Sequence, residues 1–116
     1  MPLNNVTELQ MIDEIVGTGA VAAPGDSVTV NYVGALTNGT VFDASANHGT
    51  EGFTFTLGAG QVIKGWDQGI AGMKEGGKRT LVIPAALAYG NQAVGGVIPA
   101  DSVLVFQVEL LKVQKP

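Results

Sequence analysis

The sequence contains no cysteine, one histidine and few charged residues, and each shortage removes a class of function. Without cysteine the chain can form no disulfide and carries no thiol nucleophile. The one histidine, His48, falls in a polar loop where a lone imidazole is usually solvated, so Ser-His-Asp chemistry is not expected. No cluster of metal-ligand residues is visible in the sequence, and we predict neither a metal site nor a cofactor.

Basic residues and long apolar runs are also scarce. Six lysines and arginines stand against ten acidic residues, which gives a formal net charge of −4. This balance argues against binding to nucleic acid. No stretch approaches the roughly 18 apolar residues of a membrane-spanning helix. The first residues do not have the pattern of a signal peptide, so we expect a cytoplasmic protein.

The chain nevertheless contains enough apolar sequence for one core. Of its 116 residues, 46% are hydrophobic, which predicts a single folded domain. Seventeen glycines are spread along the chain, as expected for many turns between short elements. We place the domain at residues 9–116, after an N-terminal extension at residues 1–8.

Hydrophobic periodicity predicts short strands and one helix. Residues 27–36 alternate as in a strand, and Asn38-Gly39 predicts a type I′ hairpin turn after it. Val62 and Trp66 share one face of a predicted helix of ~8 to 10 residues. About five strands with one short helix predict an α+β fold, an antiparallel sheet curled around the helix. The remaining strand segments are residues 9–16, 40–43, 53–57, 78–83 and 102–113.

Because no reactive group stands out, function is expected to rest on a shaped apolar surface, and Trp66 is the largest apolar side chain available for one. Asp43 directly follows Phe42 at the end of an apolar strand. It could cap local amides or place a carboxylate at the rim of an aromatic pocket, and the spacing leaves both readings open. Tyr89 lies in a long loop, where a functional role is more natural than a core role.

Seven segments carry a more specific signal. They are VNYVG at 30–34, NGTVFD at 38–43, GQVIKGWD at 60–67, GMKEG at 72–76, AYG at 88–90, VIP at 97–99 and LVFQVELL at 104–111. In this order they closely resemble the FKBP-type peptidyl-prolyl cis-trans isomerases, the FK506-binding proteins. The resemblance runs from about Leu9 to Val113. Any one segment alone would be weak, whereas the ordered set is highly specific.

The resemblance implies a monomeric enzyme that accelerates rotation of X–Pro bonds and binds proline between helix and sheet without covalent chemistry. Its partners would be proline-containing polypeptides, and FK506- and rapamycin-type macrolides would inhibit it. The alternative is a non-catalytic binding module with the same fold. The implied catalytic residues are Asp43, Trp66 and Tyr89. The implied substrate-binding residues are Tyr32, Phe42, Phe53, Val62, Ile63, Val97, Ile98 and Phe106.

The same resemblance assigns individual roles. Trp66 would form the floor of the pocket, and the Ile63 N–H and the Tyr89 hydroxyl would donate hydrogen bonds to substrate carbonyls. Asp43 would lie beside the amide being twisted. One departure concerns this aspartate, because the arginine that family members often carry in the following loop is missing here. The candidates to hold Asp43 in its place are Tyr32, Asn47 and His48.

Overall fold

The structure, a computed structural model, describes residues 8–45, 52–90 and 98–116. Within them, six strands form one antiparallel sheet, and a short helix, α1, packs against it. The expected α+β fold is confirmed. The elements are β1 (Gln10–Ile15), β2 (Ser27–Leu36), β3 (Val41–Ala44), β4 (Phe53–Thr56), α1 (Lys64–Gly69), β5 (Lys78–Ile83), a 3₁₀ turn (Ala85–Leu87) and β6 (Leu104–Gln114).

The sheet is organised around β2 and β6. Its order is β1-β5-β6-β2-β3, and β4 also pairs with β2. Strand β6 follows β2 along its whole length, from Ser27 opposite Gln114 to Leu36 opposite Leu104. The other edge of β2 is divided between β4, opposite residues 27–30, and β3, opposite residues 33–35. Tyr32 therefore lies at the junction between the two.

Alternation along the strands separates an inner face from an outer one, as the sequence pattern predicted. The inner face is apolar, and its residues form a continuous core with the helix. The outer face carries the polar side chains of the same strands, including Asn31 and Gln107. The buried inner residues of the central strands are Val28, Val30, Leu81, Ile83, Leu104, Phe106, Val108 and Leu110.

Two glycines let the helix lie close to the sheet. A Cβ at Gly65 would stand 2.5 Å from the Ile83 side chain, and one at Gly69 would stand 2.8 Å from Leu81. Positions i and i+4 lie on the same helical face, so both glycines press against β5. In the described part of the chain, no helix is long and apolar enough to cross a membrane.

The helix is shorter than the sequence pattern predicted. It spans six residues and begins at Lys64, so Val62 and Ile63 precede it rather than sharing its face. The physical reason is the backbone of Ile63, which is extended with φ −60° and ψ 151°. The Ile63 carbonyl still accepts the N–H groups of Trp66 and Asp67, which leaves its own N–H outside the helical hydrogen bonds.

Arg79 fixes the far end of the helix. Its guanidinium donates to the Gly69 carbonyl at 2.8 Å and to the Ala71 carbonyl at 3.4 Å. The same group forms an ion pair of 2.7 Å with Asp13 in β1. A cation at a helix C-terminus interacts favourably with the helix dipole. One side chain thus joins β1, β5 and the helix.

The hairpin between β2 and β3 is confirmed, but its predicted turn type is wrong. A type I′ turn needs positive φ at both central residues, and Gly39 alone has it here, at 90°. The Gly39 N–H donates to the Leu36 carbonyl at 2.9 Å, and the Asn38 side chain accepts the Thr40 N–H at 2.9 Å. The asparagine therefore acts through its side chain rather than through a left-handed backbone.

Candidate functional site

A cavity of about 200 Å³ opens between the inner face of the sheet and the start of the helix. Six of its lining side chains are aromatic, and they come from four strands, the helix and the segment after the 3₁₀ turn. Its lining residues are Tyr32, Phe42, Asp43, Phe53, Gln61, Val62, Ile63, Trp66, Tyr89 and Phe106. Most of the residues implied by the sequence therefore meet at one place.

Trp66 is the centre of this ring cluster. It is 4% exposed and lies 4.9 Å from Tyr32 and 5.2 Å from Phe106 between ring centroids, both nearly perpendicular. Phe53 and Phe55 contact it at 6.2 and 5.7 Å. Edge-to-face pairs at such distances add to the stability gained from burial. The rings restrain one another and hold the cavity open in a defined shape.

A β-bulge explains how Phe42 and Asp43 both reach the cavity. Consecutive strand residues normally point to opposite faces of a sheet. Here the pairing shifts: Gly34 lies opposite Asp43, whereas Ala35 lies opposite Val41. Phe42 is the extra residue, and such an insertion re-aims neighbouring side chains. The aromatic ring and the carboxylate therefore line one wall.

Gly34 provides the space in which two of the rings meet. It lies on the inner face of β2, opposite Phe106 in β6. A Cβ at this position would stand 2.6 Å from the Phe106 ring and 2.8 Å from the Phe42 ring. The two rings pack at 5.5 Å with an interplanar angle of 89°. A glycine is required here for close packing, since its φ is not in the left-handed region.

The Tyr32 hydroxyl holds the Asp43 carboxylate. It donates to Oδ2 at 2.7 Å, and the Ala44 N–H donates to Oδ1 at 2.9 Å. Burial, with this hydrogen bond to Asp43, raises the pKa of Tyr32 far above its usual value. Of the three candidates to replace the missing arginine, Tyr32 is thus a direct partner, while Asn47 and His48 lie outside the described residues. The carboxylate also caps a local amide, so the two readings of Asp43 are compatible.

Three donors at the cavity have no acceptor in the described part of the chain. The buried indole N–H of Trp66 is one. The Ile63 N–H is the second, because the extended backbone before the helix leaves it without an intrahelical partner. The Tyr89 hydroxyl is the third. Burial raises the pKa of Tyr89, with a smaller contribution from the Asp43 charge, so this group stays protonated and able to donate. Unpaired donors beside an apolar cavity are suited to a ligand that brings carbonyl groups.

Two residues of the site were missed in the sequence. Gln61 lines the cavity, and Phe55 backs Trp66 from within the core at 4% exposure. The alternation of 53–57 already placed Phe55 on the same face as Phe53, which is a signal that could have identified it. Nothing in the sequence pointed to Gln61 beyond its place two residues before Ile63.

Of the two implied substrate-binding residues from the segment VIP, only Ile98 lies within the described residues, and it is not among those that line the cavity. Ile98 was expected at the rim, yet it is 5% exposed and packs within the hydrophobic core, so it does not line the cavity. Apolar burial explains its inward position. Val97 lies outside the described residues.

Fold and pocket together define a small α+β domain with an aromatic ligand cavity. Residues 19–111 match the family model of the FKBP-type peptidyl-prolyl cis-trans isomerase. The FK506-binding protein of Neisseria meningitidis serogroup A is 56% identical over 97 residues, covering 84% of this chain and 88% of that protein. Peptidyl-prolyl cis-trans isomerase FPR2 of Saccharomyces cerevisiae is 56% identical over 94 residues, covering 80% of this chain and 69% of its own length.

Solved structures agree with this assignment. The crystal structure of AtFKBP13 has a TM-score of 0.84 at 47% identity, covering 90% of this chain and 91% of that one. FkpA from Escherichia coli has a TM-score of 0.84 at 44% identity, covering 94% of this chain and 49% of its own. The chain belongs to the FKBP-type peptidyl-prolyl cis-trans isomerase family, which confirms the family that the seven segments indicated.

Proposed function

We propose that this protein accelerates cis–trans rotation about X–Pro bonds in unfolded or flexible polypeptide segments. One observation carries the proposal: six aromatic side chains and three unpaired donors meet at a single cavity. The rings offer an apolar site of about 200 Å³, which has room for a proline side chain. The Ile63 N–H and the Tyr89 hydroxyl offer hydrogen bonds to the carbonyls on either side of it.

The reaction needs no acid, base or nucleophile. Resonance holds the X–Pro amide planar and sets a rotation barrier of ~18–20 kcal/mol. The twisted amide has lost this resonance, so its carbonyl is less polar than that of the planar amide. An apolar pocket therefore disfavours the planar ground state more than the twisted state, and binding becomes stronger at the transition state. Lowering the barrier by ~4 kcal/mol gives ~1000-fold acceleration.

Asp43 and Trp66 have separate roles in this proposal. Trp66 is the floor on which the proline ring rests. Asp43, fixed by the Tyr32 hydroxyl at 2.7 Å, places a negative charge at the wall. That charge repels the negative end of a carbonyl dipole, so the twisting carbonyl turns away from Asp43 and toward the donors. A fixed charge of this kind costs no reorganisation during the reaction.

The test is an exchange assay with a short X–Pro peptide, followed with and without an FK506-type macrolide. We expect the protein to accelerate cis-to-trans conversion and the macrolide to stop it by competing for the cavity. Tight macrolide binding without acceleration would instead identify a non-catalytic binding module. Absence of both would overturn the proposal.

A further inference from the structure

Side-chain hydrogen bonds hold the rim of the cavity, in addition to backbone bonds such as that from the Gly25 N–H to the Leu57 carbonyl at 2.8 Å. Between β4 and α1 the chain turns through residues 57–61. The Thr56 N–H donates to Oε1 of Gln61 at 2.9 Å. Asp67, in the helix, accepts the N–H groups of Gly58 at 2.8 Å and Gly60 at 3.2 Å. The first of these hydrogen bonds ties the rim to β4, and the two to Asp67 tie it to the helix that carries Trp66.

The bond from Thr56 also fixes the orientation of the Gln61 amide. A backbone N–H needs an acceptor, and in a glutamine side chain that atom is the oxygen. Oε1 is therefore committed to the turn, and Nε2 is left with two N–H groups. Within the described ranges no acceptor takes them, while Gln61 itself lines the cavity. The polar group that the Gln61 side chain can still offer to a ligand is thus a donor.

A peptide that inserts a proline ring into this cavity brings a carbonyl on each side of the ring. Each carbonyl loses water on binding and is costly to leave without a donor. The Ile63 N–H and the Tyr89 hydroxyl provide two donors. A carbonyl oxygen has two lone pairs, so Gln61, two residues before Ile63 on the same rim segment, can provide a further donor to one of these carbonyls.

We infer that Gln61 is a specificity-determining residue, whose side-chain amide nitrogen donates to a backbone carbonyl flanking the bound proline. This inference rests on the proposed isomerase function and adds to it a residue whose role depends on its side-chain amide. It has a further consequence for peptide preference. Replacing this donor by a carboxylate should favour peptides with a lysine next to proline over neutral peptides.

Two substitutions distinguish the donor role of the Gln61 side-chain nitrogen from the hydrogen bond that its oxygen accepts in the turn. Gln61→Glu has nearly the same shape and keeps an oxygen for the Thr56 N–H, but it replaces the donor by a carboxylate oxygen. Gln61→Met fills similar space and removes both functions. We expect Gln61→Glu to lower kcat/KM about 5- to 10-fold for neutral peptides, mainly through KM. The loss should be smaller when lysine flanks the proline.

The measurement is kcat/KM for neutral and lysine-flanked X–Pro peptides, with a thermal melt of each variant. If Gln61→Glu matches the wild-type protein on both peptides while Gln61→Met is impaired, Gln61 serves only the turn and the inference is wrong. An active wild-type protein in that experiment leaves the proposed function standing. An inactive wild-type protein would overturn the proposed function, and this inference with it.

Discussion

The inner and outer faces of the sheet each carry a depression, and the two differ in what lines them. The outer groove is the larger, about 440 Å³ against about 200 Å³ for the inner cavity. Seven of its eleven lining residues carry polar or charged side chains, such as Asn31, Lys78, Gln107 and Glu109, although most of the surface that they present to the groove is apolar. The inner cavity gathers rings from separate elements around a buried tryptophan. The identity and packing of the lining residues therefore identify the functional site better than the volume of the depression does.

The difference lies in how strongly each lining is constrained. On the outer face, neighbouring strands present long side chains to water. Binding a ligand there would reduce the conformational entropy of these side chains, which lowers the affinity. In the inner cavity, packing already holds the rings in place, and hydrogen bonds fix Asp43 and the rim. Preorganised groups of this kind bind with less loss of conformational entropy. Substitutions on the two faces should therefore have very different consequences.

Trp66→Ala should give the largest effect. Truncating a buried tryptophan costs about 3–5 kcal/mol of stability, and loss of the floor should lower kcat/KM on an X–Pro peptide about 100-fold. The matched control is Phe55→Ala, since Phe55 is also 4% exposed but does not line the cavity. It should lower the Tm by a comparable amount and turnover far less. Equal losses of turnover would mean that the ring cluster acts only as a scaffold.

Gly34→Ala should have the next largest effect, because a methyl group at 2.6 Å must push the Phe106 ring. Overpacking of this kind costs about 1–3 kcal/mol, and a displaced ring should weaken macrolide binding at least tenfold. Gly77→Ala is a control outside the cavity lining, where the new Cβ would stand 2.9 Å from the Lys74 carbonyl. Macrolide affinity is measured by calorimetry for each variant. Unchanged affinity in Gly34→Ala would contradict the view that the rings beside Gly34 form a rigid wall of the cavity.

The sequence was sufficient for the family, the fold class and most of the residues at the cavity. Strict alternation in residues 27–36 identified the inner face of β2, because alternation follows directly from strand geometry. The bulge at Phe42 could not be predicted, since it depends on pairing across two strands. The early end of the helix has a similar cause: the apolar spacing of Val62 and Trp66 fits a helix, but the backbone is extended at Ile63.

The close packing of glycines against side chains from other strands could not be predicted from the sequence either. No individual role was predicted from the sequence for Gly34, Gly65 or Gly69. Their function depends on which side chain faces them from another strand, and that is a tertiary property. The same holds for the Tyr32–Asp43 hydrogen bond, in which partners eleven residues apart are joined across β2 and β3. The sequence alone left Tyr32 as one of three candidates.

Asp43→Asn tests charge at the inner wall with little change of shape. The amide oxygen can still accept the Tyr32 hydroxyl, so the Tm should shift by only a few degrees. Turnover should fall about tenfold, or ~1.4 kcal/mol in the barrier, because the fixed negative charge is lost. Tyr32→Phe is the companion variant, since it keeps the charge and removes the hydroxyl that holds it. If Asp43→Asn retained full turnover, Asp43 would serve only as a cap for the Ala44 amide.

The smallest effect is expected on the outer face, where Gln107→Ala alters the larger groove. Gln107 is exposed and lies beside Val33, which is itself 41% exposed. Surface substitutions of this kind usually change stability by no more than about 0.5 kcal/mol, and turnover should stay within about twofold of the wild-type value. The same peptide assay and melt apply. A tenfold loss of turnover with an unchanged Tm would show that the outer groove takes part in the reaction, and the inner cavity would no longer account for function by itself.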